Sequence, residues 1–233
     1  MMIRVEGLSH GILSVPILSI PNGLCVVTGR NGSGKTTLLR LLAGISVPER
    51  GSITVDGRDP ATLERGFVHE FPGKNSLFSI VSQEVASPLW FRHALCEEVE
   101  RAVSRAARSV GIEGLLSREV RNLSGGEQVL CALATAVVGN PALLVLDEWD
   151  SHLDSDTAVH AEACIRAMQI PHVVWCTQDM DIAASADYVV FMEGGRVRYS
   201  GTPLSVFPAL KDTCWYPPSW RWREWSSSST VSS

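Results

Sequence analysis

Gly29-Arg-Asn-Gly-Ser-Gly-Lys-Thr-Thr37 follows an apolar run at 24–28 and leads into a segment, 36–43, with helical spacing. A glycine-rich turn of the form Gly-x-x-x-x-Gly-Lys-[Ser/Thr] between a buried strand and a helix is built to hold phosphate. Its glycines let backbone N–H groups converge on an anion, and the helix start adds about half a positive charge. On this reading Gly29, Asn31, Gly32, Ser33, Gly34, Lys35, Thr36 and Thr37 form the cradle. Lys35 is expected to reach the β- and γ-phosphates, and the Thr36 hydroxyl to hold Mg²⁺. The alternative is a glycine-rich turn with a surface lysine, and the flanking strand and helix argue against it.

Outward from this loop, short apolar runs at 24–28, 143–146, 172–176 and 188–192 alternate with helical patterns such as 36–42. That alternation predicts an α/β domain with a mainly parallel sheet. The strand Ala142-Leu-Leu-Val-Leu-Asp147-Glu148 ends in two adjacent carboxylates. Asp147 suits the outer coordination of Mg²⁺, and Glu148 suits a base that orients or deprotonates water; the alternative is a strand ending in solvated acids. From about 84 to 140 strand signals vanish and helix formers at 97–107 and 127–138 take over, which predicts an inserted helical lobe. After Gly201 the pattern breaks down. Trp215, Trp220, Trp222 and Trp225, interleaved with Arg221 and Arg223 and followed by a serine run, read as a tail in which Pro217-Pro218 forbids a continuous helix and the serines favour disorder.

The chain has 233 residues and is 45% apolar, enough for one substantial core. A net charge of -5 and a pI near 5.7 argue against a nucleic-acid binder with a broad basic face, so phosphate affinity has to come from local geometry. The six cysteines have no CxxC spacing and read as small buried hydrophobes of a reducing compartment. Neither a signal peptide nor a run of 18 apolar residues is visible, so the expectation is a chain that does not itself span a membrane.

Leu123-Ser-Gly-Gly-Glu-Gln128 narrows the reading further. Ser124, Gly125 and Gly126 open a helix with apolar positions Leu130, Leu133, Ala134, Val137 and Val138 at a 3.6 period, and its first N–H groups form an anion site. The same Ser124-x-x-Glu127 is equally a plain capping box that satisfies those N–H groups internally. With the phosphate loop, Gln83 and Asp147-Glu148 in this order, residues 1–205 resemble the ATP-binding subunits of ABC transporters, and most of all the ATPases of energy-coupling-factor importers of vitamins, cobalt or nickel.

The resemblance implies a P-loop NTPase (RecA-like) core, over 1–83 and 141–205, with an inserted helical subdomain over about 84–140. It adds an antiparallel β portion at the N-terminal side and leaves 206–233 as the tail. It implies hydrolysis of ATP with Mg²⁺, with Glu148, Gln178 and Gln83 catalytic and Thr36, Gln83 and Asp147 at the metal. Gln83, read as lying at a strand end, is implied to touch Mg²⁺ and water and relay nucleotide state. Ser124, Gly125 and Gly126 are implied to meet the γ-phosphate held by a second, identical or paralogous, subunit. Segment 151–154 resembles the loop that crosses to that subunit, and 187–201 the family's closing hairpin about Gly194-Gly195. The implied setting is the cytoplasmic face of the cell membrane, beside transmembrane subunits and without nucleic acid. Other outcomes are a soluble ABC ATPase outside transport, or a nucleotide-gated subunit with little hydrolysis.

The chain departs from the family's pattern at four places. Gln178 stands where a histidine is usual. The aromatic residue that stacks on adenine is missing, His10 being the nearest planar side chain. Val129-Leu130 replace Gln-Arg, and Trp149 replaces the proline after the catalytic glutamate.

Overall fold

Along the chain come β1 (Met2–His10), β2 (Leu13–Pro21), β3 (Gly23–Gly29), α1 (Lys35–Leu42), β4 (Arg50–Val55), β5 (Arg65–Val68), α2 (Val81–Trp90) and α3 (Cys96–Val110). They are followed by α4 (Gly125–Val137), β6 (Leu143–Asp147), α5 (Ser155–Ala167), β7 (His172–Cys176), α6 (Met180–Ala184), β8 (Tyr188–Glu193), β9 (Arg196–Gly201) and α7 (Pro203–Val206). This computed structural model describes residues 1–70, 76–151 and 153–222. They fall into two compact units, 1–59 with 174–222, and 60–173.

In the first unit β1 pairs antiparallel with β2 and β4, with Val5 opposite both Leu18 and Ile53. Ile3, Val5, Val15, Leu18 and Ile20 are buried. The alternation slips one residue in both strands where Glu6 faces Ile17, next to a bulge between Glu6 and Ser9 against β4; a bulge re-aims the side chains beyond it. The other sheet of this unit runs in the order β7-β3-β8-β9. β3 is parallel to β8 and buried from Leu24 to Gly29, as a strand covered on both faces must be. β9 returns antiparallel through Gly194-Gly195, both with positive φ (53° and 76°), the hairpin turn expected from the sequence.

The segment beyond Gly201 is folded as far as Trp222, unlike the tail expected. Trp215 stands edge-on to Phe191, and Trp220 edge-on to both Phe207 and Tyr216. Pro217-Pro218 opens a helical turn over 218–222 rather than ending one, the Trp220 N–H donating to the Pro217 carbonyl at 3.1 Å, and Tyr216 is buried against the unit. Arg223, Trp225 and the serine run lie outside the described residues.

In the second unit β5 and β6 pair in parallel. α3 buries Val99, Ala102, Val103, Ala106 and Val110 at helical spacing. α4 packs on α2, α3 and β5 at once, so its buried set is Val129, Cys131, Leu133 and Ala134 rather than a single stripe. Leu130 and Val137 of the expected face are half-buried, because a helix enclosed on several sides has no single core face. Among the described residues no helix is long and apolar enough to cross a membrane. Cys25, Cys131 and Cys176 are buried as expected, but Cys96 and Cys214 are exposed. Burial raises the Cys25 thiol pKa and pushes that of Cys131 up to about 12.

Candidate functional site

The phosphate loop joins the carboxyl end of β3 to α1, the edge at which open α/β sheets bind ligands. α1 begins at Lys35 with Gly34 as its N-cap, at φ 94° and without a side-chain cap. A Cβ on Gly34 would strike Leu13, and one on Gly29 would strike the Met192 carbonyl, so only glycine fits either place. The β8–β9 turn braces the loop from behind: the Gly195 N–H donates to the Ser33 carbonyl at 3.2 Å, and the Gly195 carbonyl accepts from the Ser14 N–H at 2.9 Å.

Lys35 is buried, and its Nζ arches back to donate to the carbonyls of Gly29 (3.0 Å) and Arg30 (3.4 Å). The hydroxyls of Thr28 and Ser33 are buried without a hydrogen-bond partner among the described residues. An unmet buried hydroxyl costs about 1–3 kcal/mol. A phosphate oxygen is the acceptor that Ser33 lacks, so the loop fits an anion better than it fits itself. Gln178 follows β7, and its Nε2 donates to Asn31 Oδ1 at 3.3 Å, which brings it to the rim of the loop. Its neighbours are fixed: Thr177 Oγ1 accepts from the Asp179 N–H at 3.1 Å, and Asp179 caps α6. His10 lies 4.0 Å from Glu49.

In the second unit Asp147 is the last residue of β6 and is buried. Glu148 follows at φ 46°, a left-handed conformation that costs a non-glycine residue on the order of 1–2 kcal/mol. The reading of Gln83 as a strand-end residue is corrected: it lies exposed in the first turn of α2. A short apolar run such as Phe78-Ser-Ile-Val81 does not by itself distinguish strand from helix. Val81 and Val85 turn inward as i and i+4 of a helix.

The residues at a strand end are instead His69 and Glu70. β5 and β6 are in register with Val68 beside Leu146, so the chain leaves β5 at His69-Glu70 just as it leaves β6 at Asp147-Glu148. The sequence reading missed them because β5 is only four residues long. The available signal was the short apolar run Gly66-Phe-Val68 followed by the polar pair His69-Glu70.

The signature segment shows the complete capping box. Ser124 Oγ accepts from the Glu127 N–H at 3.2 Å, and Glu127 Oε2 accepts from the Ser124 N–H at 2.7 Å. The two readings of this motif are chemically compatible. The box uses a lone pair of the Ser124 oxygen and the N–H groups of residues 124 and 127; it does not use the Ser124 O–H or the N–H groups of Gly125 and Gly126. Asp154 caps α5 by accepting from the Thr157 N–H at 2.9 Å.

The family described as "ABC transporter" matches residues 18–151, a span that holds the phosphate loop, the signature segment and Asp147-Glu148. The chain belongs to the ABC transporter family. It is an ABC ATPase with a P-loop NTPase fold, and it binds ATP. The ABC ATPase is 32% identical over 192 residues to the energy-coupling factor transporter ATP-binding protein EcfA1 of Streptococcus pyogenes serotype M5 (strain Manfredo), covering 78% of this chain and 68% of that protein. The energy-coupling factor transporter ATP-binding protein EcfA of Streptococcus pyogenes matches with the same figures, 32% identity and coverage of 78% and 68%. Among solved structures, cbiO1 from Clostridium perfringens, part of the ABC transporter complex cbiONQ, superimposes with a TM-score of 0.80 at 27% identity. The match covers 88% of this ABC ATPase and 90% of cbiO1.

Proposed function

We propose that this ABC ATPase is the motor subunit of an importer of the energy-coupling-factor or cobalt type, which takes up a vitamin or a transition-metal ion. Two ATPase subunits, identical or paralogous, close head to tail on ATP at the cytoplasmic face of the membrane and pull on transmembrane subunits that select the cargo. The observation that carries this reading is the phosphate loop, with its uncapped helix start, arched Lys35 and unmet Ser33 hydroxyl.

Within it, Gly29, Asn31, Gly32, Ser33, Gly34 and Thr37 cradle the phosphates and Lys35 neutralises them. Thr36 and Asp147 are hard oxygen donors of the kind Mg²⁺ takes, and they would hold it. Bound there, the ion would offset charge on the β- and γ-oxygens. Glu148 accepts a proton from the attacking water or orients it. Gln178 donates an amide N–H to the γ-phosphate. Glu70, at a strand end, is assigned the water-facing role first given to Gln83. Ser124, Gly125 and Gly126 meet the γ-phosphate held by the partner subunit.

The membrane-subunit reading is supported by Trp90 and Phe91 at the end of α2 and Leu95 at the start of α3, which are exposed (42%, 67% and 70%). Clustered exposed apolar side chains of this size favour a protein partner. The test is isolation of the native complex, followed by uptake in proteoliposomes. ATP-dependent accumulation of a vitamin or metal ion, lost in Lys35→Ala, is expected. Recovery without any membrane protein would remove the transport reading.

A further inference from the structure

The signature helix carries an acid where the proposed function brings a phosphate. Glu127 lies in the first turn of α4, three residues from Ser124, and its carboxylate binds the Ser124 N–H at 2.7 Å. A carboxylate suits a helix N-terminus, but it repels a second anion arriving at the same N–H groups. Arg118 answers that charge directly. Its Nη1 donates to Glu127 Oε1 at 2.9 Å and its Nη2 to the Asn122 carbonyl at 2.9 Å, so one planar guanidinium grips both the acid and the turn before the motif.

The backbone around Arg118 is also tied to the start of α2. Its carbonyl accepts from the Val81 N–H at 3.0 Å, Leu116 accepts from the Ser82 N–H at 3.0 Å, and the Val120 N–H donates to Ser79 at 2.8 Å. Ile80 and Glu119 form a β-bridge in the same strip.

We propose that Arg118 is a positioning residue of the ATPase cycle: it neutralises Glu127 so that the signature helix start can accept the partner's γ-phosphate, and it holds that start in register with α2. This rests on the reading of the signature segment as a phosphate contact across a dimer. Glu127 keeps the cap rigid, and Arg118 makes the cap electrically neutral. The α2 start and the signature then move as one piece, because a shift of either breaks the strip of backbone hydrogen bonds between 79–82 and 116–120.

The experiment uses the full chain in the Glu148→Gln background, which keeps bound ATP intact. It records the MgATP concentration for half-maximal dimerisation by sedimentation velocity, and the affinity of the monomer for MgATP by calorimetry. Arg118→Ala is expected to raise the dimerisation midpoint roughly tenfold, the scale of a lost charge-assisted pair at a helix terminus. Monomer affinity, set by the phosphate loop, stays unchanged. Arg118→Lys, which keeps the charge without the fork, is expected to stay within about threefold of the parent.

The decisive variant is Arg118→Ala with Glu127→Gln. The amide retains the capping acceptor without the charge, so the midpoint returns to within about threefold of the parent. If the double variant is no better than Arg118→Ala, or if Arg118→Ala has no effect, Arg118 does not act by neutralising Glu127 and the proposal is overturned. A parent that never dimerises, with Ser124→Arg equally without effect, overturns the phosphate-contact reading itself and the proposal with it.

Discussion

Replacing Gln178 by histidine should raise the turnover of the isolated chain several-fold while leaving its ATP affinity nearly unchanged. Gln178 sits on the rim of the phosphate loop through one exposed 3.3 Å bond to Asn31, so little is lost when that amide is replaced. What changes is the donor offered to the transferred phosphoryl group. A neutral amide contributes roughly 0.5–1.5 kcal/mol and a cationic donor roughly 1.5–3 kcal/mol, a difference of about 1 kcal/mol in the transition state. That is about fivefold in rate.

Histidine with an ordinary pKa of about 6.5 is protonated more fully as pH falls. The advantage of the variant should therefore grow between about pH 8 and pH 6, whereas the parent has no such dependence at this position. The assay is steady-state phosphate release at saturating MgATP over that range, with calorimetric affinity alongside. A histidine variant no faster than the parent at any pH refutes the argument and makes the glutamine an equal substitute.

Lys35→Ala removes charged hydrogen bonds worth roughly 1.5–3 kcal/mol and should weaken MgATP binding tenfold or more by calorimetry; an unchanged dissociation constant would remove the loop from the site. The Ser124 N–H first, and Arg118 behind it, hold the Glu127 carboxyl below its ordinary 4.5. An acid with a lowered folded pKa stabilises the fold while ionised, so this contribution is complete above about pH 4.5 and is lost as pH falls through the lower folded value. Urea unfolding should then show the stability of the parent and of Glu127→Gln converging below pH 4.5, and a difference constant with pH contradicts it. Tyr216→Ala, which empties a buried ring position, should cost about 3 kcal/mol in the same assay; no loss would mean that the aromatic segment only rests on its unit. Phe91→Asp should abolish recovery with membrane subunits while sparing ATP hydrolysis, and intact recovery would move the docking surface elsewhere.

The phosphate loop was legible because its chemistry leaves no latitude. The expected strand at 24–28 and helix at 36–43 became β3 (Gly23–Gly29) and α1 (Lys35–Leu42). The same holds for Gly194-Gly195, where two successive positive φ angles admit few other residues. α5 was not read from the sequence, because it buries only Ala161 and Ile165 and so carries almost no apolar period. α2 was half-missed, since Pro88 inside it and the apolar run before it both speak against a helix there. Gln83 was chosen for its residue type, but position in the register of β5 and β6, not residue type, decides what reaches the edge beside Asp147. Trp215, Tyr216 and Trp220 read as a loose tail because aromatic contacts with Phe191 and Phe207 are long-range and leave no periodic trace.

The proposed function has this chain close as a pair around ATP and hydrolyse it through Glu148. Sedimentation velocity of the Glu148→Gln protein with MgATP and with MgADP tests it most directly. A dimer that forms with MgATP, falls apart with MgADP and retains unhydrolysed ATP is the expected result. A monomer under both conditions, or hydrolysis as fast as in the parent, would rule out the ATP-closed pair with Glu148 as its base.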